Sequence, residues 1–96
     1  MGRQEIEHII VSYLLDFDLQ KVGIFGSYAR NEQNPESDID LLVKFKDSPS
    51  LMQLIKIENE LSKLLDCKVD LITEGSVTNK IIKSQINKEL QIIYNA

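Results

Sequence analysis

Gly26-Ser27 and, after ten intervening residues, Asp38-Ile39-Asp40 are the residues of this chain whose types and spacing could do chemistry together. The run DIDLLVKFK (38 to 46) alternates as a strand does, with Ile39, Leu41, Val43 and Phe45 on one face and Asp38, Asp40, Leu42 and Lys44 on the other. Carboxylates at i and i+2 of a strand share a side, with Cα atoms roughly 6.5 to 7 Å apart. Asp70 lies in a further apolar run, CKVDLIT (67 to 73). If that strand neighbours the first, at about 4.8 Å, Asp70 faces the same pocket. Three carboxylates so close repel one another and raise each other's pKa. A hard divalent cation removes that penalty, and oxygen-only donors suit Mg²⁺ or Mn²⁺. Three aspartates carry about -3 and a nucleoside triphosphate about -4, so two Mg²⁺ ions, about 3.5 to 4 Å apart, are needed to bring them together.

The Gly26-Ser27 turn supplies the other half. Glycine lets the backbone approach a phosphate closely, and a following helical turn offers N–H groups to it. The Ser27 hydroxyl adds a donor. Arg30, one turn on, either reaches the outer phosphates or pairs with Glu32 or Glu36 on the surface. A lone D-x-D is weak, since solvated strands often carry such pairs. Glycosyltransferases and haloacid-dehalogenase-type phosphatases use the same spacing, but their folds are too large for 96 residues.

The elements that must position these groups follow from the apolar pattern. Residues 3 to 17 place Ile6, Ile9, Ile10, Tyr13, Leu14 and Phe17 at helical spacing. QKVGIFG (20 to 26) is a buried strand closed by glycine, and YARNEQNPES begins as a helical turn and ends as a loop at Asn34-Pro35. Ser48 and Pro49 predict the cap and first residue of a helix to about Leu65, with Leu54, Ile57, Leu61, Leu64 and Leu65 as its buried stripe. From about Val77 a last helix uses Ile81, Ile82 and Ile86, and LQIIY either extends it or forms a short extended segment. Helices alternating with strands predict an α/β (α+β) fold: a small mixed sheet of three to four strands, helices packed on one face, the aspartates on the other.

GSYARNEQNPESDIDLLV resembles the signature of the polymerase-β-type nucleotidyltransferase superfamily: GS, ten residues, then D-x-D. Within it, the small size, the GSYAR opening and the SDIDLLV close resemble the minimal nucleotidyltransferases, the MNT antitoxins of HEPN/MNT toxin–antitoxin pairs. The similarity spans essentially the whole chain, including KVDLIT. It implies a polymerase-β-like palm and transfer of AMP from ATP to a tyrosine of a partner HEPN ribonuclease toxin. By it, Gly26 and Ser27 match the phosphate-binding pair, Asp38 and Asp40 the two-metal ligands, and Asp70 the third carboxylate beside the acceptor oxygen. Many members have glycine after the arginine where this chain has Asn31, a residue that tolerates a left-handed backbone. Two other functions stand beside this one: a non-catalytic antitoxin that neutralises its partner by occlusion, and nucleotidyl transfer to a small molecule or an RNA end.

Composition sets the bounds. At 96 residues one domain spanning 1–96 is expected. No apolar run approaches the roughly 18 residues of a membrane span, and MGRQEIEH has no signal-peptide core, so the expected location is cytoplasmic. Net charge is -4 and the 11 Lys and Arg form no dense run, so strong direct nucleic-acid binding is not expected. Cys67 reads as a small buried hydrophobe, Tyr13 as core and His8 as solvated. Lys44 either touches nucleotide or balances charge, Tyr28 stacks on a base or packs under the loop, and Tyr94 is a conceivable acceptor in the tail.

Overall fold

The computed structural model describes residues 2–32 and 38–96. The elements are α1 (Arg3–Leu14), β1 (Leu19–Phe25), β2 (Ile39–Phe45), α2 (Leu51–Leu65), β3 (Val69–Thr73), α3 (Lys80–Glu89) and β4 (Gln91–Asn95), with 3₁₀ turns at Leu15–Phe17 and Glu74–Ser76. They build one mixed sheet in the order β3-β2-β1-β4. β1 runs antiparallel to both β2 and β4, while β2 and β3 are parallel and joined across α2. The two open readings of the tail are thereby decided. Leu90 turns extended, with ψ 126°, and the next five residues pair with the free edge of β1.

Alternation along the strands dictates the layering. Val22 and Ile24 of β1, Ile39, Leu41, Val43 and Phe45 of β2, and Val69 of β3 turn to one side. There they meet Ile6, Ile10 and Leu14 of α1 and Ile57, Leu61 and Leu65 of α2. α3 stands apart from this layer. Its buried Ile86 lines a small cavity with Leu42, the buried residue of the aspartate face. α3 thus covers the middle of that face and leaves its Asp38 end open.

Several boundaries differ from those read in the pattern. α1 stops at Leu14, and the chain turns at Asp18 with φ 58°, so Phe17 packs from a 3₁₀ turn. Ser50, not Ser48, caps α2, accepting from the Gln53 N–H at 3.2 Å, so Pro49 lies outside the helix. Leu64 is exposed, because it sits on the flank of the stripe set by Ile57, Leu61 and Leu65. Ile81 and Ile82 are exposed too, and Ile86 alone of the three isoleucines of α3 is buried. The third strand starts at Val69, with Cys67 in the preceding turn, half-buried against the core. The expected loop at Asn34-Pro35 falls outside the described residues.

Asp70 depends on β3, an edge strand, and α2 holds that edge. The Val69 N–H donates to Ser62 Oγ at 3.0 Å, and the Leu71 N–H to Glu58 Oε2 at 2.8 Å. The Ser62 hydroxyl donates onward to the Glu58 carbonyl at 2.8 Å. Side chains of the crossover helix therefore satisfy donors that an open edge would leave to water or to another chain. Ser62→Ala strands the Val69 N–H. It is expected to cost about 1 kcal/mol and to lower the melting temperature by roughly 4 to 8 °C, read by circular dichroism.

Candidate active site

The parallel register sets Asp40 directly beside Asp70, and the antiparallel register sets Asp40 opposite Phe25, the last residue of β1. Asp38 stands two residues before Asp40, at the mouth of β2. Lys68 comes within 3.9 Å of both Asp38 Oδ2 and Asp70 Oδ1. This exposed ammonium touches the rim of the cluster, and among the described residues no cation pairs with Asp40. Asp40 responds as an enclosed acid among acids must. Burial foremost, then the charges of Asp70 and Asp38 and a hydrogen bond with Asp70, push its pKa up to about 6, with Arg30 opposing.

The donor set is all oxygen and carries uncompensated negative charge, which fits a hard divalent cation. Among the described residues no three His, Cys, Asp or Glu side chains close into a cage of their own. Mg²⁺ sites seldom need one, because one or two carboxylates, phosphate oxygens and several retained waters make up the octahedral shell.

The Gly26-Ser27 turn abuts the same carboxylates. Gly26 has φ +74°, and a Cβ built on it would lie 2.3 Å from Asp40 Oδ2. Only glycine lets the end of β1 lie against that oxygen. Beyond it the chain coils tightly: the Arg30 N–H donates to the Gly26 carbonyl at 3.2 Å and the Glu32 N–H to the Ser27 carbonyl at 2.9 Å. Asn31 takes the left-handed conformation at φ 57°, the turn geometry that asparagine tolerates in place of glycine. Two side chains anchor the coil from outside. Arg3 Nη1 donates to the Tyr28 carbonyl and Gln91 Nε2 to the Ala29 carbonyl, each at 2.9 Å.

The structure therefore brings together Gly26, Ser27, Asp38, Asp40 and Asp70. Arg30 pairs with Glu32 at 3.0 Å and with Glu89 of α3 at 2.7 Å, and its charge still reaches Asp40. Glu89 was not foreseen, and neither were the anchors Arg3 and Gln91 or the rim cation Lys68. One signal in the sequence pointed to Glu89, an acid in the last turn of a helix, where the dipole disfavours it. Tyr28 packs against the core, where burial and the nearby Cys67 raise its pKa, so it lies under the loop rather than open to a base. Burial and the charges of Asp38 and Asp66 likewise raise the Cys67 thiol. Tyr94 is half-buried in β4 against the core, a poor position for an acceptor. Tyr13 packs on the core and donates to Glu60, Lys44 is exposed on the aspartate face, and His8 is exposed on α1. Among the described residues no helix is long and apolar enough to cross a membrane.

Comparison with known proteins agrees with this architecture. The nucleotidyltransferase domain model matches residues 6–93. A Methanocaldococcus jannaschii protein, classed by inference as a protein adenylyltransferase, is 49% identical over 77% of this chain and 76% of its own length. The protein adenylyltransferase MntA of Thermococcus cleftensis is 34% identical over 93% of this chain and 94% of its own. The crystal structure of a toxin–antitoxin complex with AMP-PNP superimposes with a TM-score of 0.85 at 27% identity, covering 94% of this chain and 73% of that one. A chain with this sheet, these carboxylates and these relatives is a nucleotidyltransferase, and it belongs to the nucleotidyltransferase domain family.

Proposed function

We propose that the chain is a cytoplasmic, single-domain antitoxin that transfers AMP from ATP to a tyrosine of a partner HEPN-type ribonuclease toxin and so silences it. The observation that carries the chemistry is the seating of Gly26 against Asp40, itself side by side with Asp70. That arrangement supports reading the Gly26-Ser27 turn as the phosphate-binding partner of the acidic cluster. The name of the Thermococcus relative and the complex with AMP-PNP support the adenylyl donor and the toxin partner.

Asp38, Asp40 and Asp70 would hold Mg²⁺ (Mn²⁺ can substitute), which when bound offsets phosphate charge and makes the acceptor hydroxyl easier to ionise. The chain's own groups do the rest. Gly26 and Ser27 hold the outer phosphates by close backbone approach and the Ser27 hydroxyl. Asp70, on the edge strand β3, accepts the hydrogen bond of the tyrosine hydroxyl and takes up its proton as the oxygen attacks. The acceptor oxygen forms a bond to the α-phosphorus, the bond from that phosphorus to the bridging oxygen breaks, and pyrophosphate leaves.

Among the described residues no element encloses an acceptor beside the carboxylates, and in this reading the partner supplies most of that subsite. A test in cells separates chemistry from simple covering of the toxin. Cells expressing the toxin are expected to survive with the wild-type chain and to die with Asp38→Asn/Asp40→Asn. Equal protection by the double variant would overturn the catalytic account in favour of occlusion.

A further inference from the structure

From the contacts at the end of α3 we infer that Glu89 is the positioning residue of the phosphate-binding turn, an inference that rests on the nucleotidyl-transfer reading above. Its carboxylate takes two donors at once. Oε2 accepts from the Gly26 N–H at 3.2 Å, and Oε1 accepts from Arg30 Nη1 at 2.7 Å. Gly26 is thus held from α3 on one side while its Cα lies against Asp40 on the other. Arg30 is braced at the far end of the same turn. One side chain thereby fixes both ends of the segment 26–30 relative to the carboxylate cluster.

Energetics favour a purposeful contact over an incidental surface pair. An acid in the last turn of a helix faces the negative end of the macrodipole, which disfavours it. A charge-assisted pair to a guanidinium together with a backbone N–H offsets this. Arg30 in turn carries two carboxylates, Glu89 and Glu32, so its charge is already answered within the chain. It acts as a strut for the turn.

The opposite role, a carboxylate stationed in the place of a phosphate, predicts the opposite sign and is therefore separable. Calorimetric binding of a non-hydrolysable ATP analogue with Mg²⁺ to the purified chain reads the sign without any transfer step. For Glu89→Gln, which keeps the size but cannot accept from both donors, binding is expected to weaken about tenfold, the equivalent of 1.4 kcal/mol. Arg30→Ala should weaken it similarly, and the double variant no further, because the two residues act as one unit. In transfer assays the KM for ATP should rise while kcat stays within about threefold, as for lost uniform binding. Melting curves on each variant establish that it is folded. Unchanged or tighter binding by folded Glu89→Gln, or additive losses in the double variant, would overturn the inference. If Asp38→Asn/Asp40→Asn still transferred nucleotide, the nucleotidyl-transfer site itself would be wrong, a failure distinct from that of Glu89.

Discussion

Asp40→Asn is expected to lower nucleotidyl transfer on the order of 100- to 1,000-fold while making the chain more stable without metal. The two effects share one cause. Asp40 is enclosed beside Asp70 and Asp38, and its pKa rises from 3.8 to about 6. Between those values the native state holds a proton that the unfolded chain has already released, so stability falls as pH rises through about 4 to 6 and stays low above. The displacement converts to about 3 kcal/mol, and solvent screening around a half-open carboxylate reduces it to about 1 kcal/mol. Asparagine removes the charge, so at pH 7 and in a chelator the variant should melt roughly 4 to 8 °C above wild type. At pH 4, where wild-type Asp40 is protonated, the two should nearly coincide. Added Mg²⁺ and ATP should raise the melting temperature of wild type and leave that of the variant unmoved. A variant that melts below wild type at pH 7 in chelator would contradict this reading of the carboxylate.

Gly26→Ala is the second large effect, and it separates geometry from charge. The added methyl would lie 2.3 Å from Asp40 Oδ2, well inside contact distance, and φ +74° is itself unfavourable for alanine. The chain can relieve the clash by swinging the Asp40 carboxylate or by opening the turn, and either response separates the Gly26-Ser27 turn from the acidic cluster. A misplacement of about 1 Å is enough for roughly a 100-fold loss of transfer. Stability should fall by only about 1 to 2 kcal/mol, mostly backbone strain, so the protein remains folded and measurable. Steady-state kinetics beside a melting curve checks both halves. Full activity in a folded variant would show that the seating of Gly26 on Asp40 is unimportant.

How much of this was legible beforehand depends on how local each feature is. Asp38 and Asp40 share a face because a strand has a period of two, and nothing distant can alter that. Asp70 was conditional on β3 lying next to β2, and the parallel register met the condition in full, Asp40 against Asp70. The fourth strand was ambiguous because LQIIY is apolar in either periodicity, and what decided it was the empty edge of β1, a tertiary fact. Ile81 and Ile82 misled for a related reason. Their helical spacing is real, but α3 lies against the sheet through Ile86, so spacing alone could not say which isoleucines would be covered. Glu89 was hidden most deeply. Its partners Gly26 and Arg30 are far away in the chain, and only the order of the sheet folds α3 back over the end of β1.

In the proposed reaction AMP leaves ATP for a partner tyrosine at the site formed by Gly26, Ser27, Asp38, Asp40 and Asp70. The direct measurement is incubation of the purified chain and its partner toxin with α-labelled ATP and Mg²⁺, followed by mapping of the labelled residue. Label on a tyrosine of the partner is expected with wild type, and none with Asp38→Asn/Asp40→Asn or in chelator. No label with wild type, or equal label with the double variant, would contradict the account.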